Sequence, residues 1–138
     1  MTQEEKDLLL QDLCARLPYG VMAKFGDSNP SKITNITQDI DSDSWFVESE
    51  GEFDEMTGEF DGMMCEINNI KPYLFPMSSM SKEQNLEFLS TCRGGNAYHP
   101  TYKSFDWLDK NLFDYRGLIP MGLANDATEL SVYTNSDE

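Results

Sequence analysis

Apolar positions fall at helical spacing near both ends of the chain and at alternate positions between them. Leu9, Leu10, Leu13, Cys14 and Leu17 recur at intervals of three and four, giving one apolar face to a helix from about Gln3 to Leu17. Thr2-Gln3-Glu4-Glu5 has the T-x-x-E form of a capping box, and Pro18 with Gly20 stops the helix. The alternating middle predicts strands at Val21 to Phe25, Lys32 to Ile40, Trp45 to Glu48 and Met63 to Ile67. Asn68 to Pro76 reads as extended, because Pro72 and Pro76 lack a donor and bias the residue before them away from helix. A second box, Ser81-Lys82-Glu83-Gln84, opens a helix to about Cys92 that buries Leu86, Leu89 and Phe88. Gly94-Gly95-Asn96 breaks it, and Phe105, Leu108, Leu112 and Tyr115 mark a third helix over about Thr101 to Asp114. Gly117, Pro120 and Gly122 cut Leu118, Ile119, Met121 and Leu123 into a short turn, and residues 133–138 read as a frayed tail.

These elements predict one α+β domain over residues 1–138: an N-terminal helix, an antiparallel sheet of about four strands from Val21 to Ile67, and two C-terminal helices packed on one face. One segment resists that scheme. Gly51-Glu52-Phe53-Asp54-Glu55-Met56 echoes seven residues later as Gly58-Glu59-Phe60-Asp61-Gly62-Met63. A period of seven suits one helical face, but the glycines oppose helix and favour a hairpin. Thr57-Gly58 and Asp61-Gly62 supply its turns.

Charge sharpens the interest of that segment. The net charge is -15, and the 38 residues from Ile33 to Ile70 hold eleven acids without one Lys or Arg. Trp45, Phe46, Phe53, Phe60, Met63 and Met64 run through the same stretch, so it has the apolar content of a folded acidic surface. Such a balance disfavours direct binding to nucleic acid or an anionic bilayer, which needs clustered Lys and Arg, and favours a basic protein or a cation as partner. Cys14, Cys65 and Cys92 show no C-x-x-C spacing and read as reduced, mostly buried thiols of a soluble cytoplasmic protein. The start lacks a signal-peptide pattern, and no apolar run approaches membrane-spanning length. No cofactor fingerprint is present.

Three segments carry a family resemblance: Leu8 to Val21 (LLLQDLCARLPYGV), Ile70 to Ser81 (IKPYLFPMSSMS) and Asp114 to Ile119 (DYRGLI). Together they resemble a group of small uncharacterised proteins from phages, prophages and mobile elements of gut anaerobic bacteria. The resemblance omits the acidic stretch from Asp39 to Glu66. It implies a genomic setting, such as counter-defence, and transfers no activity and no functional residue.

The leading expectation is a non-enzymatic binding protein whose Glu48, Glu50, Glu52, Asp54, Glu55, Glu59, Asp61 and Trp45 engage a basic protein, including as a mimic of nucleic-acid charge. A first rival is a calcium-like site, because Asp39, Asp41, Asp43 and Glu50 occupy positions 1, 3, 5 and 12 of an EF-hand-like loop. Ser44 stands where that loop wants Gly. A second rival is a small hydrolase pairing acids of the 52–61 region as general acid and base. A Cys92–His99 pair lacks any nucleophile motif, and Arg116 reads as a helix-terminal cation that could otherwise bind an anion.

Overall fold

A computed structural model describes residues 1–94 and 98–133; the Gly95-Asn96 part of the expected break and the tail from 134 lie outside them. Helix α1 (Gln3–Arg16) opens with the expected box, Glu5 N donating to Thr2 Oγ1 at 3.1 Å and Thr2 N donating to Glu5 Oε1 at 2.8 Å. These bonds hold the Glu5 carboxyl below its ordinary range. The buried face of α1 is Leu9, Asp12, Leu13 and Arg16, while Cys14 is exposed. The helix is therefore rotated from the all-apolar reading, and Cys14 is not a core thiol.

The chain then builds a mixed sheet of seven strands among the described residues, in place of four antiparallel ones. The strands are β1 (Met22–Phe25), β2 (Ser31–Gln38), β3 (Trp45–Ser49), β6 (Met64–Glu66), β7 (Ile70–Pro76), β8 (Phe113–Asp114) and β9 (Asn125–Asp126), while β4 (Phe53–Asp54) and β5 (Glu59–Phe60) pair apart from it. Their order is β6-β3-β2-β1-β7-β8, with β9 also on β7. The extended Asn68 to Pro76 segment thus becomes an inner strand despite its prolines. Leu74 O accepts from Ala127 N while Phe75 N donates to Leu112 O. One trans peptide points these groups to opposite edges, so β8 and β9 flank β7 on different sides, both parallel to it. By the same alternation Pro72 faces the edge that β9 reaches only from Tyr73 onward, where a missing donor costs little.

A bulge between Ile33 and Asn35 explains how β2 serves the core. Strict alternation cannot turn both Ile33 and Ile36 inward, but one extra residue restores the phase, and both pack with Val47. Leu9 and Leu13 of α1 join Val21, Ala23, Phe25, Ile70 and Leu74 in that core. On the opposite face of the sheet Lys32, Asn35, Thr37, Glu66 and Lys71 are solvent-exposed, while Tyr73 beside Lys71 is buried. Ile40 lies beyond the end of β2 and is 92% exposed.

Helix α2 (Lys82–Ser90) has its expected box but buries no residue, and Leu86 is exposed. It packs on α3 (Tyr102–Lys110) through Phe88 and Trp107, whose ring centroids are 5.8 Å apart, and Trp107 stacks on Phe113. The third helix ends four residues before the expected Asp114. Leu112 adopts φ 64°, which no right-handed helix accommodates, and releases the chain into β8.

Tyr133 is no part of a frayed tail. Its hydroxyl accepts from Met22 N at 2.8 Å and donates to Tyr73 O at 2.7 Å, bridging β1 and β7 where their own ladder stops. Its ring lies 5.8 Å from that of Phe75, and burial raises the phenol above its usual range. Tyr133→Phe strands two partly buried backbone groups and is expected to cost about 1–3 kcal/mol. Urea denaturation checks this: the midpoint should fall with the slope unchanged.

Candidate functional site

Between β3 and β6 the chain leaves the sheet as a separate two-stranded arm, β4 paired with β5. The sevenfold echo is thereby a hairpin whose two copies pair with each other, Phe53 opposite Phe60 and Asp54 opposite Glu59. Gly58, at φ 74°, supplies the left-handed turn residue, and its N–H donates to Asp54 O at 2.7 Å. The neck needs glycine for a different reason. A Cβ on Gly51 would land on the Gly62 backbone, and one on Gly62 would meet the Phe60 ring. Asp61 N donates to Glu52 O at 3.0 Å, Glu52 N donates to the Asp61 carboxylate, and Met63 N donates to Ser49 Oγ at 2.6 Å. These bonds close the base of the arm.

Every residue from Gly51 to Asp61 is exposed. Glu52, Asp54, Glu55, Glu59 and Asp61 therefore share one projecting element with Phe53, Met56 and Phe60, which are 63%, 96% and 40% exposed. Together they line one open hollow on the arm. Met56 and Phe53 at such exposure gain little from the fold, since burial is what stabilises large apolar side chains, and Phe60 is covered only in part, at the neck. For the hydrolase reading the arm supplies carboxylates in open solvent, and Asp54 and Asp61 are already engaged by backbone amides.

The remaining predicted residues are dispersed. Glu50 is exposed at the neck, whereas Trp45 and Glu48 belong to β3; Trp45 packs against the core, and Asn35 Nδ2 donates to Glu48. Trp45 is therefore not on the acidic arm. Asp39, Asp41 and Asp43 sit in the β2–β3 turn, where Asp39 caps the Asp41 amide and the Ser42 hydroxyl. Glu50 lies past the far end of β3, five residues of strand or roughly 16 Å away. The structure does not bring the four acids of the EF-hand-like reading together, and among the described residues no three acids, His or Cys converge. His99 pairs with Arg93 through backbone, while Cys92 lies against Phe88 O and Ser104.

Sequence reasoning missed the most heavily built polar feature. Asp12 and Arg16 are fully buried, with Arg16 Nε donating to Asp12 Oδ2 at 2.9 Å and Arg116 Nη1 to Asp12 Oδ1 at 2.7 Å. Arg16 also donates to Phe113 O at 2.7 Å and Leu108 O at 3.4 Å. Tyr115 Oη donates to Asp109 Oδ1 at 2.8 Å, and both guanidiniums lie over the Tyr115 ring. Burial pushes Asp12 above the usual carboxylate range against the opposing pull of the two arginines, and raises the Tyr115 phenol to about 12. Asp114 completes the corner by accepting from Leu118 N and Ile119 N. Arg116, read from sequence as a helix-terminal cation that could otherwise bind an anion, lies six residues past the end of α3 and is engaged within the fold. The available signal was the placement of Asp12 and Arg16 at three, four and seven residues after Leu9 with Leu13, on the face that α1 buries.

Among the described residues no helix is long and apolar enough to cross a membrane. Comparison of the chain with protein-family models, with curated proteins and with solved structures gives no match.

Proposed function

We propose that this chain is a non-enzymatic binding protein that uses the arm of residues 52–61 to engage a basic protein. The observation that supports this reading is the arm itself: five acids and three large apolar side chains on a hairpin that contributes nothing to the core. Charge of one sign steers an oppositely charged partner and sets the encounter rate. Phe53, Phe60 and Met56 add what charge lacks, since aromatic residues and Met form the apolar centres of interfaces. A partner with a Lys- and Arg-lined groove fits this chemistry, and where that groove normally holds nucleic acid the arm replaces phosphate charge. The setting we propose is cytoplasmic and mobile-element encoded, in keeping with counter-defence.

The test is neutralisation without unfolding. Glu52→Gln, Asp54→Asn and Glu59→Gln together, with Asp61 kept because it caps the neck, should leave the melting temperature unchanged and slow association with the captured partner by about tenfold or more at low salt. Salt should reproduce the effect in the natural chain, because exposed charges are screened beyond about 8 Å at physiological ionic strength. Equal rates for both chains at low salt would remove the arm's charge from the recognition.

A further inference from the structure

We propose that the open face of the sheet carries a small oxyanion site centred on Lys24 and Lys71. The two lysines are directly opposed on antiparallel β1 and β7. That register puts their Cβ atoms roughly 5 Å apart, and like charges so placed repel. The chain holds 25 acids against ten basic residues, yet among the described residues neither lysine has a carboxylate within 4.0 Å. Among the described residues, all carboxylate contacts within 4.0 Å of a cation belong to Arg16 and Arg116.

What surrounds the lysines is neutral donor chemistry. Asn68 and Asn69, just before β7, and Asn125 on β9 line the same open hollow. Each carboxamide carries two N–H donors, so two lysines and three asparagines line one open hollow and give it donor groups that suit a tetrahedral or carboxylate oxyanion. Asp27 is the single carboxylate lining this hollow among the described residues, and it works against an anion. The ligand class is small for two reasons. A net charge of -15 repels polyanions such as nucleic acid, and no aromatic side chain lines the hollow to stack a base. The site lies on the outer face of β1, β7 and β9 and shares no residue with the arm.

The experiment is a titration of the isotope-labelled chain with inorganic phosphate at constant ionic strength, followed by amide resonances. The expected result is saturable shifts confined to Lys24, Lys71, Asn69 and Asn125. Lys24→Gln with Lys71→Gln should weaken binding by about tenfold or more, the size of a lost charge-assisted contact. Asp27→Asn should tighten it. Thermal melting gives a second readout: phosphate should raise the melting temperature of the natural chain and leave that of the double variant unmoved. Parallel titrations separate the sources of the anion. Binding of phosphate and sulfate but not acetate assigns a phosphate or sulfate ester, and equal binding of acetate assigns a carboxylate ligand; both support the site. Linear, unsaturated drift, or the same shifts in the double variant, would overturn it.

Discussion

Arg16→Ala is expected to destabilise the fold by about 3–5 kcal/mol, the cost of breaking a buried ion pair by removing one partner. Arg16 is fully buried, and its loss leaves Asp12 in the interior with Arg116 alone. The same change strands Phe113 O and Leu108 O, the carbonyls through which Arg16 ties α1 to the end of α3 and the start of β8. A domain of this size is stable by only about 5–15 kcal/mol, so the variant should unfold at much lower urea concentration. Arg16→Met, which keeps length without charge, should behave no better, because Asp12 remains buried beside it. A midpoint close to that of the natural chain would mean that the network is not structural, and Arg116 would again be open to a binding role.

Local signals written in a few adjacent residues were legible in the sequence. The boxes at Thr2 and Ser81 appear as hydrogen bonds between named atoms, and the paired copies around Phe53 and Phe60 are the hairpin that the glycines favoured. Signals that depend on distant partners were not. Pro72 marks its segment only as extended, not as an inner strand, until β9 is known to begin only at Tyr73, and Tyr133 reads as tail until its hydroxyl is seen to bridge β1 and β7. Asp12 failed the apolar-face criterion because its partner Arg116 is 104 positions away. The acids divide in the same way. Those of the arm stand together because a hairpin is local, whereas Asp43 and Glu50 are held apart by the strand between them.

The arm's relation to the sheet makes its role separable from folding. Strands β3 and β6 are antiparallel neighbours, with Glu48 opposite Met64 and Ser49 N donating to Met63 O at 2.8 Å. Gly51 and Gly62 touch at the neck. Excising residues 52–61 therefore joins two glycines already in contact and leaves Glu50-Gly51-Gly62 as a three-residue hairpin loop between Ser49 and Met63, with glycine at hand for the left-handed position such loops use. No core residue is removed.

That excision is the most direct measurement of whether the arm is a binding element carried by an independent fold. The full-length and arm-less chains would be immobilised at equal density and exposed to the same extract, and the retained proteins quantified by mass spectrometry. Thermal melting would be measured alongside. The account predicts a melting temperature within about 4 °C of the natural chain, equivalent to roughly 1 kcal/mol, and loss of the basic proteins that the full-length chain retains. Undiminished retention of those proteins by a folded arm-less chain would contradict it, as would failure of that chain to fold.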